Sequence, residues 1–224
     1  MNEAIVQSTA GVTLAGGGGF SLKMLDIARG LAPTIVAADG GADRLLTLGC
    51  EPEAVIGDLD SISSKAKARL KDRLFPILEQ ATGDFDKALR SIAAPFVLGI
   101  GFSGARLDHG LAVLNSLVRH PEKRCLLLGG RDVTFLAPRA LTLHLPIGSR
   151  LSLFPMGPVQ GESRGLRWPL QGLNFAPGGM IGTSNEVTGP VHLSFDADLM
   201  LVILPRSAAA TALDAFGLRG VRGQ

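Results

Sequence analysis

The sequence predicts an α/β N-terminal domain, with a mainly parallel sheet flanked by helices, followed by an all-β C-terminal sandwich domain. Three observations carry this. In the first half, short apolar runs alternate with segments of helical period, the pattern of strand and crossover helix. After about residue 122 the apolar runs crowd together, alternate with period two and are separated by Gly and Pro, the pattern of an antiparallel sandwich or barrel. The acids also divide unevenly, 15 of the 20 lying in residues 1–139. The predicted domains are 1–122 and 123–224.

The elements follow in order. GVTLAGGGG (11–19) reads as a short strand running into a glycine loop. In LKMLDIARGL (22–31), Leu22, Leu25, Ile27 and Ala28 share a broad helical face. TIVAADGGA (34–42) is a strand breaking at Asp39-Gly40-Gly41, and ADRLLTLG (42–49) a helix stopped by Gly49. EAVIGDLDS is a third strand, residues 64–74 a polar helix and FPILEQ (75–80) strand-like. DFDKALRSI (84–92) is a helix with acids in its first turn, where the macrodipole favours them. PFVLGIG (95–101) is a strand and LDHGLAVLNSLVRH (107–120) a helix. Beyond it, CLLLGG, VTFLA, LTLHLP, SRLSLFP, VHLSF and LMLVILP read as strands.

Composition removes several classes of function. With 46% hydrophobic and 19% charged residues the chain is globular. Its 22 basic and 20 acidic residues leave a net charge of +2, with no basic block, which argues against a nucleic-acid partner. Long uncharged stretches such as 168–185 are broken by Gly and Pro and make poor membrane spans. Two cysteines, Cys50 and Cys125, without CxxC spacing, fit a reducing compartment. The N-terminus lacks a signal-peptide pattern. The reading is a cytoplasmic protein without a membrane partner.

Chemistry concentrates where strands end, the place where doubly wound sheets collect ligands. The successive ends carry Gly16 to Gly19, Asp39-Gly40-Gly41, Asp58-Leu59-Asp60-Ser61, Gln80-Ala81-Thr82-Gly83-Asp84, and the stretch from Gly101 to His109. On an extended strand Asp58 and Asp60 point the same way. Two carboxylates about 5 Å apart repel by roughly 3 kcal/mol at an effective dielectric near 20. A divalent cation removes that penalty, and magnesium suits one or two carboxylates completed by water and phosphate. The plainer alternative is a solvated turn with Asp60 capping the next helix. Asp84 is a further ligand or a helix-start acid, and Lys87 a phosphate contact or its surface partner. Arg106, Asp108 and His109 cluster at a helix start, where Arg can grip phosphate. The glycine run lacks the P-loop pattern. Trp168 is the sole tryptophan, and GTSNEVTG (182–189) gathers polar groups between two strands, with a polar hairpin loop as its bland alternative.

Together these segments resemble the thiamine pyrophosphokinase family. The stretches that carry the resemblance are AADGGADRLLTLGCEPEAVIGDLDSIS (37–63), TGDFDKAL (82–89), GARLDHGLAVLNSL (104–117), SLFPMG (152–157), GLRWPL (165–170) and GTSNEVTG. The resemblance implies an N-terminal domain for nucleotide and metal and a C-terminal domain for thiamine and dimerisation. It also implies a homodimer with active sites where subunits meet. The implied reaction moves the pyrophosphoryl group of ATP to the thiamine hydroxyl, releasing AMP, with Mg2+ held by Asp58, Asp60 and Asp84. Asp39, Lys87, Arg106, Asp108 and His109 fall on the nucleotide side, and Gln80, Trp168, Ser184 and Asn185 on the thiamine side. The sequence departs from the family at Ala81 and Gly83, where Asp and Thr are usual, at Ala105 for Gly and at Asp43 for Asn. A DxD nucleotide-sugar transferase and a non-catalytic thiamine- or nucleotide-binding protein are the alternatives.

Overall fold

Strands buried on both faces favour near-continuous apolar runs, and the early runs supply them, with the buried Thr13 hydroxyl donating to the Ala32 carbonyl at 2.6 Å. The computed structural model describes residues 4–103 and 106–218. Gly104 and Ala105 of the GARLDH segment lie outside the described residues, as do the outer ends of the two predicted domains. The chain divides into two units. Among the described residues, one extends through Ser116 and takes in Leu127–Gly129; the other takes Leu117–Leu126 and residues 130–218.

The first unit contains β1 (Val6–Gln7), β2 (Val12–Ala15), α1 (Leu22–Leu31), β3 (Thr34–Ala38), α2 (Gly41–Thr47) and β4 (Ala54–Gly57). It continues with α3 (Ser64–Arg69), β5 (Leu74–Pro76), α4 (Asp84–Arg90), β6 (Ile92–Ala93) and β7 (Val97–Ile100), and α5 (Leu107–Arg119) begins in it. Strands β2, β4 and β7 are buried at every residue. All neighbours pair in parallel, in the spatial order β5-β4-β3-β2-β7. The order reverses at β2: β3, β4 and β5 add on one side and β7 on the other. That reversal opens a crevice at the carboxyl ends of β2 and β7. Strands β1 and β6 form a separate parallel pair.

Local chemistry sets the helix limits. Ser21 caps α1 by accepting the Met24 N–H, and Ser63 caps α3 by accepting that of Ala66. Asp60 therefore does not cap the helix after the DLD segment. The buried side of α1 is Met24, Leu25 and Ala28; Leu22 and Ile27, expected on that face, are exposed. FPILEQ contributes only Phe75 and Pro76 to a strand, β5, because the chain must then turn toward the loop before α4.

The second unit comprises the first half of β8 (Cys125–Leu128), then β9 (Asp132–Leu136), β10 (Ala140–Leu143), β11 (Arg150–Pro155) and β12 (Val159–Leu166). After these come β13 (Asn174–Phe175), β14 (Gly182–Phe195), β15 (Met200–Pro205) and a closing helix α6 (Ala209–Ala215) that the sequence reading did not anticipate. The pairings from β9 onward are antiparallel. Strand β14 serves two sets of partners. Its first half pairs with β11, and its second half with β10 and β12. GTSNEVTG is thus the opening of a long strand, not a hairpin loop. Its polar residues are tolerated because Thr183, Ser184 and Thr188 are exposed while Asn185 and Val187 turn inward.

Candidate active site

The reversal of strand order places a cavity of about 700 Å³ in the first unit. Gly16, Gly17 and Gly18 after β2, Asp39 and Gly40 after β3, and Gly101 and Phe102 after β7 line it. Asp84, Arg106 and His109 complete its polar wall. Phe85 and Phe102 meet edge to face, with ring centroids 4.7 Å apart, and give it an apolar side. The glycine run contributes closeness more than donors. The Gly16 and Gly18 N–H groups are already bonded to the carbonyls of Ile100 and Gly101. A Cβ on Gly41 would stand 2.1 Å from the Ala15 carbonyl oxygen, so α2 can start this close to β2 only with glycine there.

The carboxylates meet beside this cavity, though not by strand alternation. Strand β4 ends at Gly57, and Leu59 adopts φ 63, a left-handed turn between Asp58 and Asp60. Asp39 has φ 41. Positive φ is rare for residues other than Gly, and such backbone is held in place by its surroundings. Here the Ser61 N–H donates to Asp39 Oδ2 at 3.2 Å, the Asp60 N–H to Asp58 Oδ1 at 3.3 Å and the Ser61 hydroxyl to Asp60 Oδ1 at 2.8 Å. Asp43, the departure from the usual Asn, accepts the Ser63 N–H at 2.8 Å and its hydroxyl as well. The DLDSIS loop is thus pinned at Ser61 by Asp39, which follows β3, and at Ser63 by Asp43 of α2.

Asp39, Asp58 and Asp60 each bring one carboxylate oxygen within 4.8 Å of the others. Asp39 Oδ1 is buried and has no hydrogen-bond partner. Burial pushes the Asp39 carboxyl above its usual range, and the nearby Asp84 charge adds to the rise against hydrogen bonds from Ser61 and Gly40. An orphaned buried oxygen in a set of hard oxygen donors fits a divalent cation such as magnesium.

Asp84, expected beside Asp58 and Asp60, stands one step back. Its Oδ1 accepts the Asp58 N–H at 3.3 Å and the Lys87 ammonium at 3.2 Å. Gly57 lets it approach: a Cβ there would lie 3.0 Å from Asp84 Oδ1. Lys87, expected as a phosphate contact, has a side chain only 1% exposed, with Nζ 3.1 Å from Asp58 Oδ2. That hydrogen bond holds the Asp58 carboxyl below its usual range. Burial alone would lower the Lys87 pKa, but Asp58 and Asp84 outweigh it and raise it. Gln80 donates to Asp58 Oδ2 at 3.4 Å. Around Ala81 and Gly83 the loop is organised by Glu79, a residue the sequence reading passed over. Its carboxylate accepts the Ala81 and Thr82 N–H groups at 2.8 and 3.2 Å and pairs with Arg90 at 2.8 Å. Arg106 forms a two-bond pair with Asp108, at 2.6 and 3.2 Å, on the exposed start of α5. The Arg106 contact holds the Asp108 carboxyl down at about 2.

The remaining expected residues belong to the second unit. Trp168 is 53% exposed, so it is no core residue, and the Arg167 guanidinium lies 5.0 Å from its ring centroid. Asn185 is buried and its amide is spent internally. It donates to the Trp168 carbonyl at 2.7 Å and accepts the N–H groups of Trp168 and Glu186 at 3.2 and 2.9 Å. Ser184, at φ 62, sits opposite a register shift in β11, and its N–H donates to Ser152 Oγ at 2.9 Å. Such bulges re-aim side chains beside functional surfaces.

An α/β unit with a cavity at its sheet reversal and carboxylates gathered for a cation, joined to an antiparallel unit with an exposed Trp/Arg face, defines a class: a two-unit α/β and β protein with an acidic, cation-fitting site at a strand-order reversal. Two family profiles match the chain, the thiamin pyrophosphokinase catalytic domain over residues 30–127 and the thiamin pyrophosphokinase vitamin B1 binding domain over 142–200. The chain belongs to the thiamine pyrophosphokinase family. It is 28% identical to thiamine pyrophosphokinase 1 of Oryza sativa subsp. japonica, covering 77% of this chain and 79% of that protein. It is 26% identical to thiamine pyrophosphokinase 1 of Arabidopsis thaliana, covering 75% and 76%. Its fold is that of yeast thiamin pyrophosphokinase, with TM-score 0.72, 17% identity and coverage of 91% and 92%. The Candida albicans thiamin pyrophosphokinase structure is similar at TM-score 0.70, 16% identity and the same coverage.

Proposed function

We propose that this chain is a thiamine pyrophosphokinase, transferring the pyrophosphoryl group of ATP to the hydroxyl of thiamine with release of AMP. The observation that carries the reading is the gathering of Asp39, Asp58 and Asp60 beside the cavity at the sheet reversal. It stands with the match to both domain profiles.

In this reading Asp58 and Asp60 hold Mg2+, joined by Asp39 through its unpaired buried oxygen. When bound, the cation neutralises the polyphosphate and polarises the reacting phosphorus. Asp84 is assigned to the same centre one step behind these three, where its Oδ1 accepts the Asp58 N–H and fixes the loop. Arg106, just before α5, and His109 in its first turn line the cavity and are assigned to the nucleotide, with Asp108 fixing the guanidinium plane. Gln80 stays on the acceptor side of Asp58. In-line transfer asks for alignment and charge neutralisation more than for a protein nucleophile, and these residues supply both.

Trp168, with Arg167 over its ring, and the exposed Ser184 form the surface assigned to thiamine, whose flat cationic ring suits an aromatic partner. Asn185 positions Trp168. The residues lining the cavity all belong to the first unit. A homodimer, in which one subunit's thiamine face completes another subunit's cavity, accounts for this. We read the second unit as a sandwich in which β14 joins both sheets, with the functional division near residues 122 and 123. Two free cysteines fit the cytoplasm. No helix among the described residues is long and apolar enough to cross a membrane.

The direct test is to incubate the protein with ATP, Mg2+ and thiamine and resolve the nucleotides. AMP and thiamine diphosphate in equal amounts are expected; ADP with thiamine monophosphate would overturn pyrophosphoryl transfer. Binding of both substrates with no AMP would favour a non-catalytic binding protein.

A further inference from the structure

The acids proposed to hold magnesium already have a cation beside them. Lys87 is on the first turns of α4, where its N–H donates to the Gly83 carbonyl at 3.0 Å and its own carbonyl accepts the Ser91 hydroxyl at 2.7 Å. The flanking Phe85, Ala88 and Leu89 are buried, so both backbone and stem are fixed. The side chain is 1% exposed, against 14% for Asp58 and 32% for Asp84, and the ammonium lies 3.1 and 3.2 Å from those two carboxylates. At such burial it cannot reach a phosphate in the cavity without first abandoning both. A buried charge persists only where it is paired, and here the pairing is with Asp58 of the metal loop and Asp84 at the start of α4.

We propose that Lys87 is a resident counter-ion that keeps the Asp39, Asp58 and Asp60 cluster from capturing a free divalent cation, so that the metal enters with the nucleotide's phosphates. This rests on the metal reading given above. The ammonium answers the repulsion among the carboxylates when no metal is present, and it opposes any cation entering next to Asp58. A polyphosphate brings the extra negative charge that tips the balance toward the metal. Lys87 is thus a positioning residue that couples metal loading to substrate. Otherwise the site would fill with metal before nucleotide arrived.

The experiment is Mn2+ titration, read by electron paramagnetic resonance of free Mn2+, on the full chain with and without a non-hydrolysable ATP analogue. Wild type should bind free Mn2+ weakly and bind it tighter with the analogue. Lys87→Gln should bind free Mn2+ about tenfold tighter or more, the scale on which one neighbouring charge shifts an ionic equilibrium. Lys87→Arg, which keeps the charge, should stay near wild type. A merely structural ion pair would lower thermal stability in Lys87→Gln and leave metal affinity unchanged, and that result overturns the proposal. Should Lys87→Gln not fold, Lys87→Met takes its place. The wild-type titration also decides alone, since equal affinity with and without the analogue refutes the coupling. Asp58→Asn and Asp60→Asn separate the two readings. If neither weakens Mn2+ binding, the metal site itself is misplaced and this inference falls with it. If both weaken it while Lys87→Gln does not strengthen it, only the counter-ion role fails.

Discussion

Asn185 and Trp168 are locked together by a reciprocal pair of hydrogen bonds. The Asn185 amide donates to the Trp168 carbonyl at 2.7 Å, and its oxygen accepts the Trp168 N–H at 3.2 Å. A buried side chain thereby fixes the backbone under an exposed ring. Asn185 thus spends its amide on the backbone of Trp168, whose ring stays exposed.

Asn185→Ala should therefore act through Trp168. Stripping partners from backbone groups costs about 1–3 kcal/mol, read as a lower denaturation midpoint. The KM for thiamine should rise more than kcat falls. An unchanged KM in a destabilised variant would show that Trp168 is not a thiamine contact.

Asp58→Asn and Asp60→Asn should each lower kcat by about 100-fold or more, since even indirect support of metal ligands is worth about 10- to 100-fold. Both should fold, since the two acids are on a loop and partly solvated. Circular dichroism and steady-state kinetics over a range of Mg2+ check this. Near-normal turnover at limiting Mg2+ would remove that residue from the ligand set.

Gly41→Ala should destabilise the protein by about 1–3 kcal/mol, the usual cost of forcing atoms into packed space. The obstacle is backbone, the Ala15 carbonyl oxygen, which cannot rotate aside. Urea unfolding measures it. A neutral substitution would mean that α2 and β2 are less close than found.

The Asp108 carboxyl should titrate at about 2, below its ordinary 3.8, because Arg106 hydrogen-bonds to it. A depressed acid favours the fold above its unfolded pKa and loses that contribution as pH falls through the folded one. The relevant window is therefore about 3.8 down to about 2. Carboxyl NMR titration reads the midpoint directly. Arg106→Gln should move it back toward 3.8; a midpoint indifferent to that change would refute the pairing.

Much of this site was legible in the linear chain because strand ends are marked locally. An apolar run stopped by Gly or Asp identifies β2, β3, β4 and β7, and doubly wound topology sends all their carboxyl ends to one rim. Asp39, Asp58, Asp60, Asp84, Arg106 and His109 were legible for that reason. Glu79 was not, because an acid beside a loop carries no local signature until the Ala81 and Thr82 N–H groups point at it. Asn185 was legible as important, but its role was not, since its partner lies 17 residues away in sequence.

The sequence by itself determined the order of strands and helices, the family and the residue types at the rim, because periodicity, turn residues and motifs are local properties. The tertiary structure decided how those residues meet. Asp58 and Asp60 face each other through a left-handed Leu59, not through strand alternation. Asp39 joins them with an unpaired oxygen, Asp84 stands behind the three, and Lys87 is buried between Asp58 and Asp84. These are facts of burial and of contacts between distant segments, and distance in space is what a linear pattern does not carry.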